Sequence, residues 1–254
     1  MMTICYFTAS GNCLYVARRI GGTLLSIPQL MRQEQIEIED DAVGVVCPVY
    51  NAEMPMMVRD FMKKARIRTD YFFFIYTYGM GFGEAYAHAK LAAGDAGTQL
   101  RYVSAVQMVD NFIPYFDMQE QIDTLPEKNV EGQLEGICAD LAARKTVDVK
   151  ITAVTRTKMK LYHNRLARRF LRKDTALGYT VNGDCILCGT CAKVCPANNI
   201  TVTDKVRFSD HCEVCYACLH NCPKNAIHMP VEANGAVRFR NEHVSLADII
   251  QSNE

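Results

Sequence analysis

The sequence is short of several things, and each shortage removes a class of protein. Its 254 residues hold no run near the roughly 18 unbroken apolar residues that a membrane helix needs, so no integral membrane segment is expected. The start, Met1-Met2-Thr3-Ile4-Cys5-Tyr6-Phe7, has neither the basic region nor the long apolar stretch of a secretory signal. A cytoplasmic protein is the expectation. Charge of one sign is also lacking, because 28 basic and 28 acidic residues cancel. Nucleic-acid binders carry a basic surplus, so no nucleic-acid partner is expected. The balance is uneven along the chain. Residues 1–150 hold 14 basic and 19 acidic residues, 151–175 hold eight and one, and 176–254 hold six and eight. A basic connector joins two acidic bodies.

Cysteine is what the chain has in excess. Twelve are present, and eight of them crowd into residues 185–222. The eight form one pattern written twice, 27 residues apart. Cys185-Ile-Leu-Cys188-Gly-Thr-Cys191-Ala-Lys-Val-Cys195-Pro196 is followed by Cys212-Glu-Val-Cys215-Tyr-Ala-Cys218-Leu-His-Asn-Cys222-Pro223. Asn198 matches Asn225 and Ile200 matches Ile227. Three closely spaced thiolates wrap one face of an iron–sulfur cubane, and the fourth cysteine of such a run serves the other cluster. Crossed ligand sets are therefore expected: Cys185, Cys188, Cys191 and Cys222 for one [4Fe-4S] cluster, and Cys212, Cys215, Cys218 and Cys195 for the other. Zinc ribbons instead use paired C-x2-C arms a dozen or more residues apart, with no third cysteine or trailing Cys-Pro. Disulfides suit an oxidising compartment. The stretch resembles the bacterial two-cluster ferredoxin domain over about residues 176–230, which implies one-electron transfer at low potential.

The first 150 residues alternate strand-like and helix-like segments. Thr3–Phe7, Val43–Cys47, Tyr71–Tyr76 and Leu100–Val106 read as strands, and 13–25, 55–66, 83–94 and 129–144 as helices. That alternation implies an α/β fold with a doubly wound parallel sheet, whose ligands bind at the carboxyl ends of the strands. Three loops fall there. Thr8-Ala9-Ser10-Gly11-Asn12-Cys13 follows the first strand and opens a helix, which makes an anion site suited to phosphate. Pro48-Val49-Tyr50-Asn51-Ala52 follows the second of these strands. Thr77-Tyr78-Gly79-Met80-Gly81-Phe82-Gly83 follows the third. Tyr50 and Tyr78 are placed to cover a flat aromatic ring. Glu84 stands where a dinucleotide fingerprint requires glycine, so the glycines at 79, 81 and 83 are not one.

These loops resemble those of flavodoxins, whose phosphate loop runs close to Thr/Ser-x-Thr-Gly-Asn-Thr/Ser. Ser10, Gly11 and Asn12 are in register, while Cys13 stands where a hydroxyl residue is usual. Together with the cysteine cassette, the chain resembles the flavodoxin–ferredoxin fusion family over roughly residues 1–230. The resemblance implies a five-stranded flavodoxin-like sheet beside a small α+β two-cluster ferredoxin domain. It also implies FMN held by Thr8, Ser10, Gly11, Asn12, Cys13, Pro48, Val49, Tyr50, Asn51, Ala52, Thr77, Tyr78, Gly79 and Gly83. The expected division is a flavin domain at 1–150, a basic linker helix at 151–175, the ferredoxin domain at 176–230 and a C-terminal tail at 231–254.

Weaker features have two readings each. Arg156–Lys173 carries eight basic residues and no acidic one; it suits docking of an acidic redox partner or a membrane surface, or is a solvated linker helix. Glu34–Asp41 reads as an exposed loop. Cys5, Cys47 and Cys138 read as small core residues, and Cys13 as a loop residue or a reactive thiol at a helix start. His211, His220 and His228 flank the cluster cysteines as exposed loop residues or as donors to sulfur. Asn111 reads as a turn residue or one that reaches the flavin edge. The long connection 107–127, with Phe112, Tyr115 and Phe116, forms either a lid over the flavin or a contact with the ferredoxin domain. FMN exchanges one or two electrons and each cluster one. An electron carrier working with a redox partner protein is the first reading, and a reductase of a bound small molecule the second; the sequence does not decide between them.

Overall fold

This computed structural model describes residues 1–162 and 171–254. In the N-terminal part, five parallel strands form one sheet: β1 (Met2–Tyr6), β2 (Thr23–Ser26), β4 (Ala42–Pro48), β6 (Tyr71–Tyr78) and β7 (Leu100–Gln107), in the order β2-β1-β4-β6-β7. Counting only these five, the order is 2-1-3-4-5, the flavodoxin-like arrangement with its switch point between β1 and β4. The central strand β6 reads Tyr-Phe-Phe-Phe-Ile-Tyr-Thr-Tyr and is buried from Tyr71 to Thr77. A strand covered by helices on both faces needs this unbroken apolar run. Four longer helices cover the faces: α1 (Asn12–Ile20), α3 (Met56–Lys64), α4 (Ala85–Asp95) and α6 (Val130–Ala142).

Two local expectations are overturned. The helix expected over 13–25 stops at Ile20, because Gly21 and Gly22 both take positive φ and end it. Thr23–Ser26 then pairs in register with Thr3–Tyr6 as the edge strand. The acidic stretch Glu34–Asp41 contains a strand, β3 (Ile36–Glu39), rather than a plain loop. It pairs in parallel with β5 (Ala65–Arg68), and Ile36 and Ile38 alternate inward against exposed Glu37 and Glu39. Charge count hid a period-two pattern that only a face-by-face reading shows.

Between the two halves, α7 (Ala153–Tyr162) takes the first part of the expected linker helix. Residues 163–170, and with them eight of the eighteen residues of the basic segment 156–173, lie outside the described residues. No helix among the described residues is long and apolar enough to cross a membrane.

The cysteine-rich part is built from short pieces: β8 (Thr180–Val181) against β11 (Ile227–His228), β9 (Ile200–Val202) against β10 (Val206–Phe208), and the single-turn helices α8 (Thr190–Lys193) and α9 (Ala217–His220). The 27-residue repeat is written into the backbone. Leu187 and Val214 both have φ 53°, Gly189 and Tyr216 have φ 75° and 60°, and Asn198 and Asn225 have φ 52° and 46°. A β-branched residue such as Val214 rarely adopts positive φ, so the surrounding loop imposes it.

The last stretch, 231–254, expected as a tail, crosses back to the N-terminal sheet and ends in α10 (Leu246–Asn253). Its Ser245 and Asp248 form a reciprocal capping box. Ser252 bonds the Tyr6 hydroxyl at 3.0 Å and accepts from Ser26 through its carbonyl. Ile249 and Val244 sit in the same apolar core as the sheet.

Candidate functional site

A cavity opens at the carboxyl ends of β1, β4 and β6, beside the switch point. It is lined by Thr8, Ala9, Ser10, Asn12, Cys13, Pro48, Val49, Tyr50, Thr77, Tyr78, Gly79, Val109, Asp110 and Asn111. Most of the expected flavin residues meet here. Gly11, Asn51, Ala52 and Gly83 do not line it. Gly11 turns the phosphate loop at φ 101° with its Cα facing the C-terminal stretch. Asn51 and Ala52 turn at positive φ next to Gly83, behind the rim. Ala9, Val109 and Asp110 line the wall without having been singled out. Their signal was position alone: Val109 and Asp110 follow directly on the last strand, where ligands gather.

The loop suits a phosphate on its own chemistry. Gly11 is the N-cap of α1 and supplies no side-chain cap, and the first turn carries no acidic residue. The free first-turn N–H groups therefore remain for an anion. The Thr8 hydroxyl is buried and has no hydrogen-bond partner among the described residues. Cys13 lies 3.2 Å from the Thr77 hydroxyl, tying the loop to the end of β6. Burial pushes its thiol up to about 12, which makes it a neutral packing group rather than a reactive thiolate. Burial likewise holds Cys5 up at about 12 and Cys47 well above the ordinary thiol range. Asn12 donates to the Val109 carbonyl at 3.1 Å, and Asn111 donates to Ser10 Oγ at 3.0 Å, so the β7 loop is bonded to the phosphate loop.

The eight clustered cysteines surround two further cavities. Cys185, Cys188, Cys191 and Cys222 line one, with Ile186, Leu187, Val202, Val206 and Ile227. Cys195, Cys212, Cys215 and Cys218 line the other, with Tyr179 and Tyr216. Among the described residues no three metal-binding side chains converge on the point a single ion would occupy. Four thiols spread around a cavity suit a cubane. Backbone N–H groups point at the sulfurs in matching places: Asn199 to Cys195 and Ala226 to Cys222, both at 3.3 Å, and Val214 to Cys212 at 3.2 Å.

The two cavities differ in exposure. Cys188 is exposed, and Ile186 and Leu187 beside it are 59% and 43% exposed. The Thr190 hydroxyl, 3.3 Å away, lowers the Cys188 thiol, with a smaller contribution from the Lys193 charge. The other set is inward. Cys195, Cys215 and Cys218 are buried, and desolvation pushes the Cys215 and Cys218 thiols well above their ordinary range.

The inner set is the one against the N-terminal domain. Cys215 and Ala217 pack into the same apolar core as Ala9 and Cys13, with Val49 and Tyr50 against it. Buried Glu213 accepts from Met57 N–H at 2.9 Å, and burial raises its carboxyl. Asn221, next to Cys222, donates to the Ala9 carbonyl at 3.1 Å. His220, read as an exposed loop residue, is instead buried. It accepts at Nδ1 from Phe239 N–H, which leaves Nε2–H to donate to the Asn111 carbonyl at 3.0 Å. His211 stays exposed, and half-buried His228 faces Glu232. The 107–127 connection packs on the cysteine unit: Phe112 lies 6.0 Å from Tyr216, and Ile113 sits in the apolar cluster around Cys191 and Cys195.

A doubly wound sheet with a phosphate-type loop, joined to a duplicated four-cysteine module, defines a flavodoxin-like domain fused to a ferredoxin-type iron–sulfur domain. The family model described as 4Fe-4S binding domain matches residues 179–201, so that stretch is a [4Fe-4S]-binding segment. Among solved structures, a two-electron reduced flavodoxin from Megasphaera elsdenii aligns at 18% identity over 53% of this chain and 97% of its own, with a TM-score of 0.31. A flavoprotein from Bacteroides eggerthii aligns at 14% identity over 49% and 97%, with a TM-score of 0.33. A flavodoxin from the domain Archaea aligns at 16% identity over 50% and 97%, with a TM-score of 0.31. A comparison with curated proteins finds no match. The fold assignment rests on the strand order.

Proposed function

We propose that the chain carries electrons between an external redox partner and FMN through two [4Fe-4S] clusters held by the crossed ligand sets. In this reading Cys185, Cys188, Cys191 and Cys222 hold an outer cluster, and Cys195, Cys212, Cys215 and Cys218 an inner one. FMN occupies the N-terminal cavity, with its phosphate on the loop from Thr8 to Cys13. Bound there, the flavin supplies the one- and two-electron chemistry, and the protein supplies position and electrostatics.

The observation that carries the reading is the sorting of the eight cysteines into two four-thiol cavities. Each takes three cysteines from one run and the fourth from the other. Their placement orders the path. The outer cavity meets solvent at Cys188, and the inner one abuts the flavin cavity through Cys215, Tyr50 and Ala9. The outer rim, with exposed Ile186 and Leu187 and with Lys224, suits an acidic protein partner. The 107–127 connection leans on the cysteine unit, which favours a carrier over an enzyme with a lid.

Anaerobically purified protein should contain about eight iron per chain and near-stoichiometric FMN. On addition of substoichiometric reductant, flavin bleaching should follow cluster reduction. Stoichiometric zinc without iron would remove the cluster reading. Protein that neither retains FMN nor binds it on titration would remove the flavin reading.

A further inference from the structure

Two buried hydroxyls lie where the inner cysteine cavity and the N-terminal core meet, and neither has a hydrogen-bond partner among the described residues: that of Tyr179 in the cavity wall and that of Tyr50 on the core that holds Cys215. Tyr179 lines the cavity itself, together with Cys195, Cys212, Cys215 and Cys218. Its ring is fixed edge-on by Phe208 at 5.6 Å. Tyr50 approaches from the opposite domain. It lines the flavin cavity, its ring meets Phe7 edge-on at 6.5 Å, and it packs against the apolar core that contains Cys215 and Ala217. A buried donor with no acceptor is costly and calls for an explanation. An iron–sulfur cluster between these hydroxyls would offer sulfur acceptors to both.

We propose that the Tyr50 and Tyr179 hydroxyls donate hydrogen bonds to the sulfurs of the inner cluster and hold up its reduction potential. The inference rests on the ligand sets proposed above. Its physical reason is the burial of the inner site. Reduction adds one electron, delivered by the outer cluster, and no bond to hydrogen is made or broken. The extra negative charge is poorly solvated in a buried site, which lowers the potential. Two O–H dipoles aimed at the cluster oppose that effect, and keep the inner cluster within reach of an electron from the exposed one. The outer cavity has apolar walls and a different hydroxyl, that of Thr190 against Cys188.

The test is an anaerobic redox titration of the full chain followed by EPR, on the parent protein and on Tyr50→Phe, Tyr179→Phe, the double variant and Thr190→Val. Phenylalanine keeps both rings and removes only the hydroxyls. Each single Phe variant should keep its iron and shift one cluster couple to lower potential, by about tenfold in its reduction equilibrium, which is about 59 mV. The double variant should shift the same couple further. Thr190→Val should shift the other couple. Iron-replete Phe variants with both couples unmoved would overturn the proposal. So would a shift of the same couple that Thr190→Val moves, or loss of iron from either Phe variant, which would make the tyrosines structural. A parent protein without two clusters would instead overturn the ligand reading beneath it.

Discussion

Replacing Gly11 by alanine isolates what the C-terminal stretch does for the phosphate loop. Gly11 has φ 101°, where an L side chain costs about 1–2 kcal/mol. Its new Cβ would stand 3.0 Å from both Asn241 Cβ and Val244 Cβ. That is tight packing against two residues of one turn, closed by Val244 N–H on the Asn241 carbonyl, and overpacking costs about 1–3 kcal/mol. Relief requires the segment to move outward. It is held there by Asn241 N–H to the Ser10 carbonyl at 2.8 Å and by Asn241 Nδ2 to Asn12 Oδ1 at 3.2 Å, so the strain falls on bonds to the loop itself. The expected loss is about 3 kcal/mol in urea unfolding. FMN affinity should fall about tenfold, roughly 1.4 kcal/mol, as the loop N–H groups are displaced. Gly97→Ala is the comparison. Gly97 has φ 78° and nothing within 4 Å of a new Cβ, so it should cost only the backbone strain, about 1–2 kcal/mol, and leave FMN binding alone. Equal losses for the two variants, with FMN affinity unchanged in both, would refute the claim that residues 241–244 brace the loop.

In the proposed crossed ligation each trailing cysteine serves the other run's cluster. Cys195→Ala should leave about four iron per chain, all of it in the exposed cluster and readily taken by a chelator. Cys222→Ala should leave a similar amount in the buried cluster, released slowly; equal release rates would contradict the assignment. Cys13 should resist iodoacetamide in the native protein at pH 8 and react only on unfolding, because burial holds its thiol at about 12. Native labelling of a peptide containing Cys13 would show the loop to be open. The folded values of Cys5 and Cys13, about 12 against 9.0 unfolded, also fix a sign. Between pH 9 and 12 the unfolded chain loses protons that the folded one keeps, so stability should fall as pH rises, by up to about 1.4 kcal/mol per pH unit and thiol. A urea midpoint that rises above pH 9 would contradict this. Asn221→Ala removes the donor to the Ala9 carbonyl and should cost about 1–3 kcal/mol, read as a lower urea midpoint; no change would mean the cysteine unit is not docked on the loop in solution.

The parts of this fold that announce themselves in sequence are those whose chemistry is local. The cysteine spacing does so because four thiols within eleven residues have few uses, and the repeat reaches even the backbone at Leu187 and Val214. The continuous apolar run of β6 and the Ser10-Gly11-Asn12 turn are local in the same sense. What stayed hidden depends on distant partners. Thr23–Ser26 is a strand only because Thr3–Tyr6 offers an edge; alone it extends the helix before it. His220 looked exposed beside two cysteines, and is buried because the Asn111 carbonyl and Phe239 N–H, 109 and 19 residues away, close over it. Beyond the Ser245–Asp248 helix cap, residues 231–254 carry no motif, so their return to the sheet depends on contacts such as Ser252 with Tyr6 that no local pattern encodes. Asp110 lines the cavity for a similar reason, as a consequence of where β7 ends.

The docking of the two domains bears on the direction of electron flow. Tyr50, expected from sequence as a cover for the flavin ring, lines the cavity and packs against the core that contains Cys215. One side of the flavin cavity is therefore occupied by the chain's own cysteine unit, through Asn221 on Ala9, Glu213 on Met57 and Ala233 N–H on the Ile113 carbonyl. A protein partner cannot stand there. The exposed thiol edge is at Cys188, with Ile186 and Leu187, on the outer cavity. In the proposed reading an external one-electron partner meets the outer cluster first, and the inner cluster lies on the way to the flavin. With both clusters in line, the inner potential governs passage, since the electron must rest there between two better-defined stations. Such a middle station is where buried hydroxyls from both domains have the most leverage, and Tyr50 and Tyr179 come from one domain each.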